Sequence, residues 1–177
     1  MPIKPAEKPP CYPLREGNIA IPYIDGNEAM ERIFNAIINA QSNVWLTMCF
    51  VNIHFKIPSF NKKIIEIISG VSQKKNMDLR VLAWRSKVKS GDFAGTKKDF
   101  DTLQEFNCKT KIRWDSNKLG CHHQKIFIID DKIAFVGGIN MDETHIDSRA
   151  HDRKKPKPHP THDLFCSCKV TAFYFTA

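Results

Sequence analysis

Two short apolar runs, Ile126-Phe127-Ile128-Ile129 and Ile133-Ala134-Phe135-Val136, flank the polar triplet Asp130-Asp131-Lys132, and this arrangement constrains the fold more than any other stretch of the chain. Aspartates suit a tight connection because they tolerate left-handed backbone, while the β-branched and aromatic residues on either side favour extended chain. The segment predicts an antiparallel hairpin turning about Asp131, in which facing positions sum to about 262. That register brings His123 opposite the region from Gly138 to Asn140. Side chains alternate across a strand, so His123 and Lys125 share one face while Asp130, of opposite parity, belongs to the turn.

The rest of the chain alternates between two periodicities. Ile19 to Ile24 reads as a strand, and Asp25 with Glu28 three residues on reads as a capping box. Met30, Ile33, Phe34, Ile37 and Ile38 follow at helical spacing over 28–40. Val44 to Val51 is the next strand, Ile64, Ile67, Ile68 and Val71 mark a second helix, and Leu79 to Trp84 a further buried strand. A third round is expected as a helix from Lys97 to Phe106, containing Phe100 and Leu103, and a strand from Thr110 to Trp114. Strands alternating with helices predict an α/β domain with a mixed, largely parallel sheet flanked by helices. Trp45, Phe50, Trp84, Phe127 and Phe135 fall within expected strands and read as core.

Composition sets the limits. A chain of 177 residues with 42% hydrophobic content can bury one core. Residues 1–17 are proline-rich and are expected to form an extended arm, 18–165 the folded unit, and 166–177 an atypical tail. Lys+Arg outnumber Asp+Glu 27 to 19, a formal charge of +8 that favours anionic partners without choosing among them. The amino terminus has no apolar stretch of the signal-peptide kind, and the most apolar window, Val44 to Phe55, is broken by Thr47, Asn52 and His54. That window is shorter than the roughly 20 residues needed to cross a bilayer, so a cytoplasmic protein with at most peripheral membrane contact is expected. The six cysteines are scattered, with no Cys-x-x-Cys pair, which fits a reducing compartment. Arg153-Lys154-Lys155-Pro156-Lys157-Pro158 reads as a solvated loop, and no aromatic platform for single-stranded nucleic acid is evident.

The segment from Cys121 to Asn140 carries the chemistry. Cleaving a phosphodiester requires a nucleophile, positive charge over the non-bridging oxygens and a proton donor for the leaving alkoxide. A neutral imidazole on His123 can attack phosphorus. Lys125 supplies charge and Asn140 an amide donor, and Gly137 and Gly138, lacking side chains, admit close approach of backbone and substrate phosphate.

This pattern is similar to the His-x-Lys-x4-Asp-x6-Gly-Gly-x-Asn signature of the phospholipase D superfamily, and His123, Lys125, Asp130, Gly137, Gly138 and Asn140 match every fixed position. At roughly 5% per residue type, six fixed positions coincide by chance with odds of ~10⁻⁸, which leaves coincidence no room. The resemblance extends to Pro22-Tyr23-Ile24-Asp25-Gly26 upstream and covers roughly residues 17 to 165. It implies a half-domain of the plant and bacterial phospholipase D type, working through a phosphohistidine and without metal or cofactor. Thr161-His162-Asp163 stands where that type has Trp-His-Asp, which makes Asp163 the match to the carboxylate that orients the nucleophilic imidazole. After Leu164 the family pattern is lost, as a shifted reading frame or a truncated gene would produce.

Members of the superfamily use two such motifs, within one double-length chain or across a homodimer, and this chain has one. Three readings therefore stand side by side: one half of a lipid-acting enzyme lacking its second half-domain, a homodimeric nuclease-like phosphodiesterase for which nucleic acid is the alternative substrate, and a fragment that binds phosphate esters without turnover. A zinc module from His159, His162, Cys166 and Cys168 matches no common ligand spacing. His54 and His145 read as surface or packing residues.

Overall fold

The computed structural model describes residues 17–49, 51–84, 98, 101–102, 111–115, 122–151 and 162–169. Most of the expected arm, Phe50, most of the helix expected over 97–106, His159 and the basic loop around it, and the tail from 170 lie outside the described residues.

Strand β1 (Ile19–Ile24) leads into helix α1 (Gly26–Asn39), whose buried Ala29, Met30, Ile33, Phe34 and Ile37 form the expected apolar stripe. Strand β2 (Asn43–Met48) follows, then a small ribbon of β3 (Lys56–Ile57) and β4 (Lys62–Lys63), then helix α2 (Ile64–Ser72) and strand β5 (Asp78–Trp84). Strand β6 (Lys111–Asp115), the hairpin of β7 (Lys125–Ile129) and β8 (Ile133–Gly137), a 3-10 turn at Glu143–His145 and strand β9 (Leu164–Lys169) complete the described chain. Seven strands form one sheet in the order β1-β9-β8-β7-β2-β5-β6.

The hairpin register agrees with the sequence reading, since Ile126 faces Val136 and Ile129 faces Ile133. The α/β class and the mixed sheet also agree, but the parallel share is smaller than expected. Among the described strands of this sheet, β2–β5 and β5–β6 pair in parallel, and β1–β9, β9–β8, β8–β7 and β7–β2 are antiparallel. A parallel pair needs a crossover, and after β6 the chain reverses direction at each step instead.

Two local expectations are corrected. Asp25 precedes α1 but makes no side-chain cap hydrogen bond; its carboxylate is buried and meets a histidine. The Glu66 carboxylate performs that kind of task at α2, accepting from the Lys63 N–H at 2.7 Å. The boundary expected at 165 cuts through β9, and Cys166 to Lys169 pair with both β1 and β8. Sequence alone missed this strand because its partners are set by residues far away in the chain rather than by local alternation.

One face of the sheet is buried. Phe127 and Phe165 stack there with centroids 5.5 Å apart, and α1 and α2 pack over Val44, Leu46, Leu79, Val81 and Phe135. On the opposite face Leu82, Val136 and Leu164 remain exposed. No described helix is long and apolar enough to cross a membrane. The described cysteines, Cys49, Cys166 and Cys168, are thiols.

Candidate active site

The strand directions gather the motif at one edge of the sheet. β1, β2, β5, β6 and β8 all run toward this edge, whereas β7 and β9 start from it. Lys125 therefore pairs with Met48 at the exit of β2, and Gly137 with Phe165 at the entry of β9. Ends of strands, where the backbone ladder stops, are where α/β sheets leave room for a ligand.

Lys125 opens β7 with its side chain turned into the buried face, and only 2% of the residue is exposed. Its ammonium lies 3.1 Å from Nε2 and 3.3 Å from Nδ1 of His123, and 3.5 Å from the His123 carbonyl. The two therefore converge as their shared parity requires, and the β7–β8 ladder, which runs from Ile126 to Ile129, ends before His123. Burial first, and the Lys125 charge second, hold the His123 imidazole below its ordinary value of 6.5. A neutral ring with an unprotonated nitrogen is the form that can act as a nucleophile.

Gly137 and Gly138 have a different steric task from the one read in the sequence. A Cβ on Gly137 would lie 2.3 Å from the Leu164 carbonyl oxygen, and one on Gly138 would lie 2.4 Å from Asp163 Oδ2. The space beside them is filled by β9 and by the Asp163 carboxylate, with the Gly138 N–H donating to the Leu164 carbonyl at 3.1 Å. The two glycines thus seat Asp163 at the motif. Asp163 Oδ1 accepts from the Leu164 N–H at 2.7 Å, and the Asp163 carbonyl accepts from the Asp25 N–H at 2.8 Å.

Asn140 adds a residue that sequence reasoning set aside. Its Nδ2 donates to His145 Nε2 at 3.3 Å, and His145 Nδ1 in turn donates to Asp142 Oδ1 at 2.9 Å. Burial alone would raise the Asp142 carboxyl, but the hydrogen bonds from His145 and Thr144 outweigh it and the net direction is down. Asn140 Oδ1 is buried without a hydrogen-bond partner. The readable signal was the Asp142-x-x-His145 spacing directly after Asn140, which a single tight turn folds onto the amide.

With this geometry in view, residues 33–151 match the family described as cardiolipin synthase, PLD-like domain. The chain belongs to the PLD-like domain family. Phospholipase D A of Dictyostelium discoideum is 26% identical over 155 residues, covering 80% of this chain. The chain spans only 12% of the length of that relative. Among solved structures, Nuc from Salmonella typhimurium, a phospholipase D family member, matches with a TM-score of 0.56 at 14% identity, covering 86% of this chain and 84% of that one. Phosphatidylserine synthase from Haemophilus influenzae matches with a TM-score of 0.58 at 17% identity, covering 85% of this chain and 33% of that one. These structures share the fold.

The remaining motif residue of this PLD-like domain sits elsewhere. Asp130 lies at the far end of β7, about 16 Å along the strand from Lys125 at ~3.3 Å per residue. Its carboxylate accepts from the N–H groups of Gln41, Ser42 and Asn43, at 2.7 to 3.1 Å, and from the Ser42 hydroxyl at 3.0 Å. Burial would raise this carboxyl, but those donors hold it below its ordinary value. Asp130, a fixed position of the signature that parity assigns to the turn, fixes the turn between α1 and β2 against the hairpin. His122, beside the nucleophile candidate, is tied to the end of β6 through Asp115 Oδ2, 3.1 Å from both its N–H and its Nδ1.

Proposed function

We propose that this PLD-like domain is one half-site of a phosphodiesterase that cleaves phospholipid phosphodiesters through a phosphohistidine on His123. The observation that carries the reading is the buried Lys125 ammonium within 3.1 and 3.3 Å of the two ring nitrogens of His123. A ring nitrogen attacks phosphorus as the bond to the leaving oxygen breaks. Lys125 and Asn140 stabilise the charge that grows on the non-bridging oxygens. The leaving alkoxide takes a proton from an acid, and water or an alcohol then takes the phosphoryl group from histidine, giving hydrolysis or transfer. Protein cations supply the positive charge, so no step of this chemistry requires a metal. Asp163, seated by Gly138, is assigned to orient the imidazole. A phospholipid is favoured because of the similarity to phospholipase D A, and the +8 charge suits peripheral contact with an anionic membrane face. The reduced thiols suit a cytoplasmic setting.

The proton donor points to a second reading of the assembly. Among the described residues, His145 has both ring nitrogens engaged, by Asn140 and by Asp142, and His122, His151 and His162 face Asp115, Asp147 and Asp25 respectively. The chain has one His-x-Lys motif, and the acid is assigned to a second His123 from another copy of the chain, or to a second half-domain. Such a homodimer would also suit nucleic acid as substrate.

The test is to incubate the purified chain with phosphatidylcholine vesicles, or separately with single-stranded DNA, quench, and look for a phosphorylated histidine by mass spectrometry. An adduct on His123, lost in His123→Ala together with all turnover, is expected. Turnover that survives His123→Ala refutes the nucleophile, and no adduct or turnover with either substrate leaves the binding-only fragment. Concentration-dependent activity tracking a dimer in the ultracentrifuge supports the two-histidine assembly, and full activity of a strict monomer overturns it.

A further inference from the structure

We propose that Asp25, His151 and His162 form a site for one divalent transition-metal ion of the zinc class, with a structural task. The three come together from separate places: the turn between β1 and α1, and the two ends of residues 152–161. One ligand atom from each lies within 4.8 Å of the others. This differs from the cysteine-containing set weighed from the sequence and shares only His162 with it.

The state of Asp25 is the strongest argument. Its carboxylate is buried at the position where a helix cap would sit, yet it caps nothing. Oδ1 meets His162 Nδ1 at 2.6 Å, whereas Oδ2 is buried with no hydrogen-bond partner. A carboxylate taken out of water with one oxygen unsatisfied is costly, and native chains keep such an atom where something else binds it.

His151 supplies the second argument. Its Nδ1 lies 2.9 Å from Asp147 Oδ2, and because a carboxylate only accepts, that nitrogen carries the proton. The Asp147 hydrogen bond first, and the Asp25 charge as well, raise the His151 pKa, and Nε2 faces Asp25 Oδ2 across 3.7 Å, an ion-pair spacing too long for a hydrogen bond. A metal ion that takes the place of the imidazolium proton would meet the Nε2 lone pair and the unsatisfied Oδ2 together. In a tetrahedral zinc site with bonds of about 2.0–2.2 Å, neighbouring donor atoms stand about 3.3–3.5 Å apart. The observed spacings lie on either side of that value, and both imidazoles are exposed enough to adjust. Asp147 completes the pattern in which a metal-bound histidine donates its other N–H to a carboxylate, which fixes the ring.

The ion would act as a clasp. It would tie the start of α1 to the segment entering β9, where the Asp25 N–H already holds the Asp163 carbonyl at 2.8 Å. It would therefore hold in place the aspartate seated on Gly138. The proposal does not depend on the phosphohistidine reading, and metal uptake is expected in His123→Ala as well.

The experiment measures Zn²⁺ uptake by the full chain in competition with a chromophoric chelator, and Co²⁺ absorption on the same protein. One equivalent of Zn²⁺ is expected, and the Co²⁺ form should have the d–d bands of a tetrahedral site with no thiolate charge-transfer band. His162→Ala, at an exposed side chain that the fold does not need, should weaken binding at least about tenfold, and Asp147→Asn by about tenfold. No stoichiometric uptake, a thiolate charge-transfer band pointing to Cys166 and Cys168, or undiminished affinity in His162→Ala would each overturn it.

Discussion

The two ends of strand β7 carry motif residues of opposite character. At the turn end, Asp130 receives hydrogen bonds from three consecutive backbone N–H groups and a hydroxyl, so its charge is answered by the fold itself. At the other end the chain holds a buried ammonium against an imidazole, an orphaned Asn140 oxygen and a buried His122 Nε2 without a hydrogen-bond partner. A satisfied polar group holds structure together, and an unsatisfied one keeps capacity for something that arrives. The family signature spans both ends, and so joins a residue answered by the fold to residues with polar capacity left over.

Removing the ammonium gives the largest expected separation between the two ends. Lys125→Met should lower kcat/KM by about 100- to 1000-fold, roughly 3–4 kcal/mol of transition-state stabilisation, as should Asn140→Ala. The melting temperature of Lys125→Met should hold or rise, because methionine fills similar volume without a buried charge. A variant that unfolds instead would place Lys125 on the structural side.

Asp130→Ala is the converse experiment. It orphans donors at the start of β2 and should cost about 2–3 kcal/mol in denaturant unfolding, with turnover per folded molecule unchanged. Lost turnover in fully folded protein would erase the distinction between the ends.

A finer test follows the His123 ring by NMR titration. Its pKa should lie below 6.5 in the native chain, and it should rise in Lys125→Met while staying depressed by burial. The neutral, nucleophilic form then persists to lower pH in the native chain than in the variant. An unchanged midpoint would mean that the ammonium does not act on the ring.

The smallest effect is expected away from both ends. Arg80 at 2.7 Å, with help from Lys111 and the Trp45 indole and against the opposing effect of burial, lowers the Asp78 pKa to about 2. A carboxylate depressed in the folded state adds stability above its unfolded value of about 3.9, and that contribution fades as pH falls toward the folded value. Asp78→Asn should cost about 1 kcal/mol at neutral pH, after allowance for solvent screening, and almost nothing near pH 2. An equal cost at both pH values would assign Asp78 a packing role.

What could be read from the residues alone was local. The β7–β8 register follows from a turn and two flanking runs, and α1 and α2 follow from apolar spacing within a few turns. The convergence of His123 and Lys125 is local too, a matter of parity over two residues. The misreadings arose where distant segments decide. Asp25 looks like a cap until His162, 137 residues away, takes its carboxylate. Gly138 looks like an opening for substrate until Asp163 occupies the space. β9 alternates apolar and polar residues only weakly, and its place is settled by two earlier strands, β1 more than a hundred residues upstream and β8 beyond residues 138–163.

That last pairing also orders events during synthesis. Ile19 pairs with Lys169, so β1 is synthesised well before the strand it pairs with and waits for it. The β7–β8 hairpin can close early on local contacts, whereas an edge built from such distant partners is slow to form. Until β9 arrives, β8 presents an open row of backbone donors and acceptors, the kind of edge on which nascent chains pair with the wrong neighbour. The hazard falls on the strand that ends in Gly137, beside the edge that holds His123 and Lys125, so errors in folding would remove the candidate site before they removed the core.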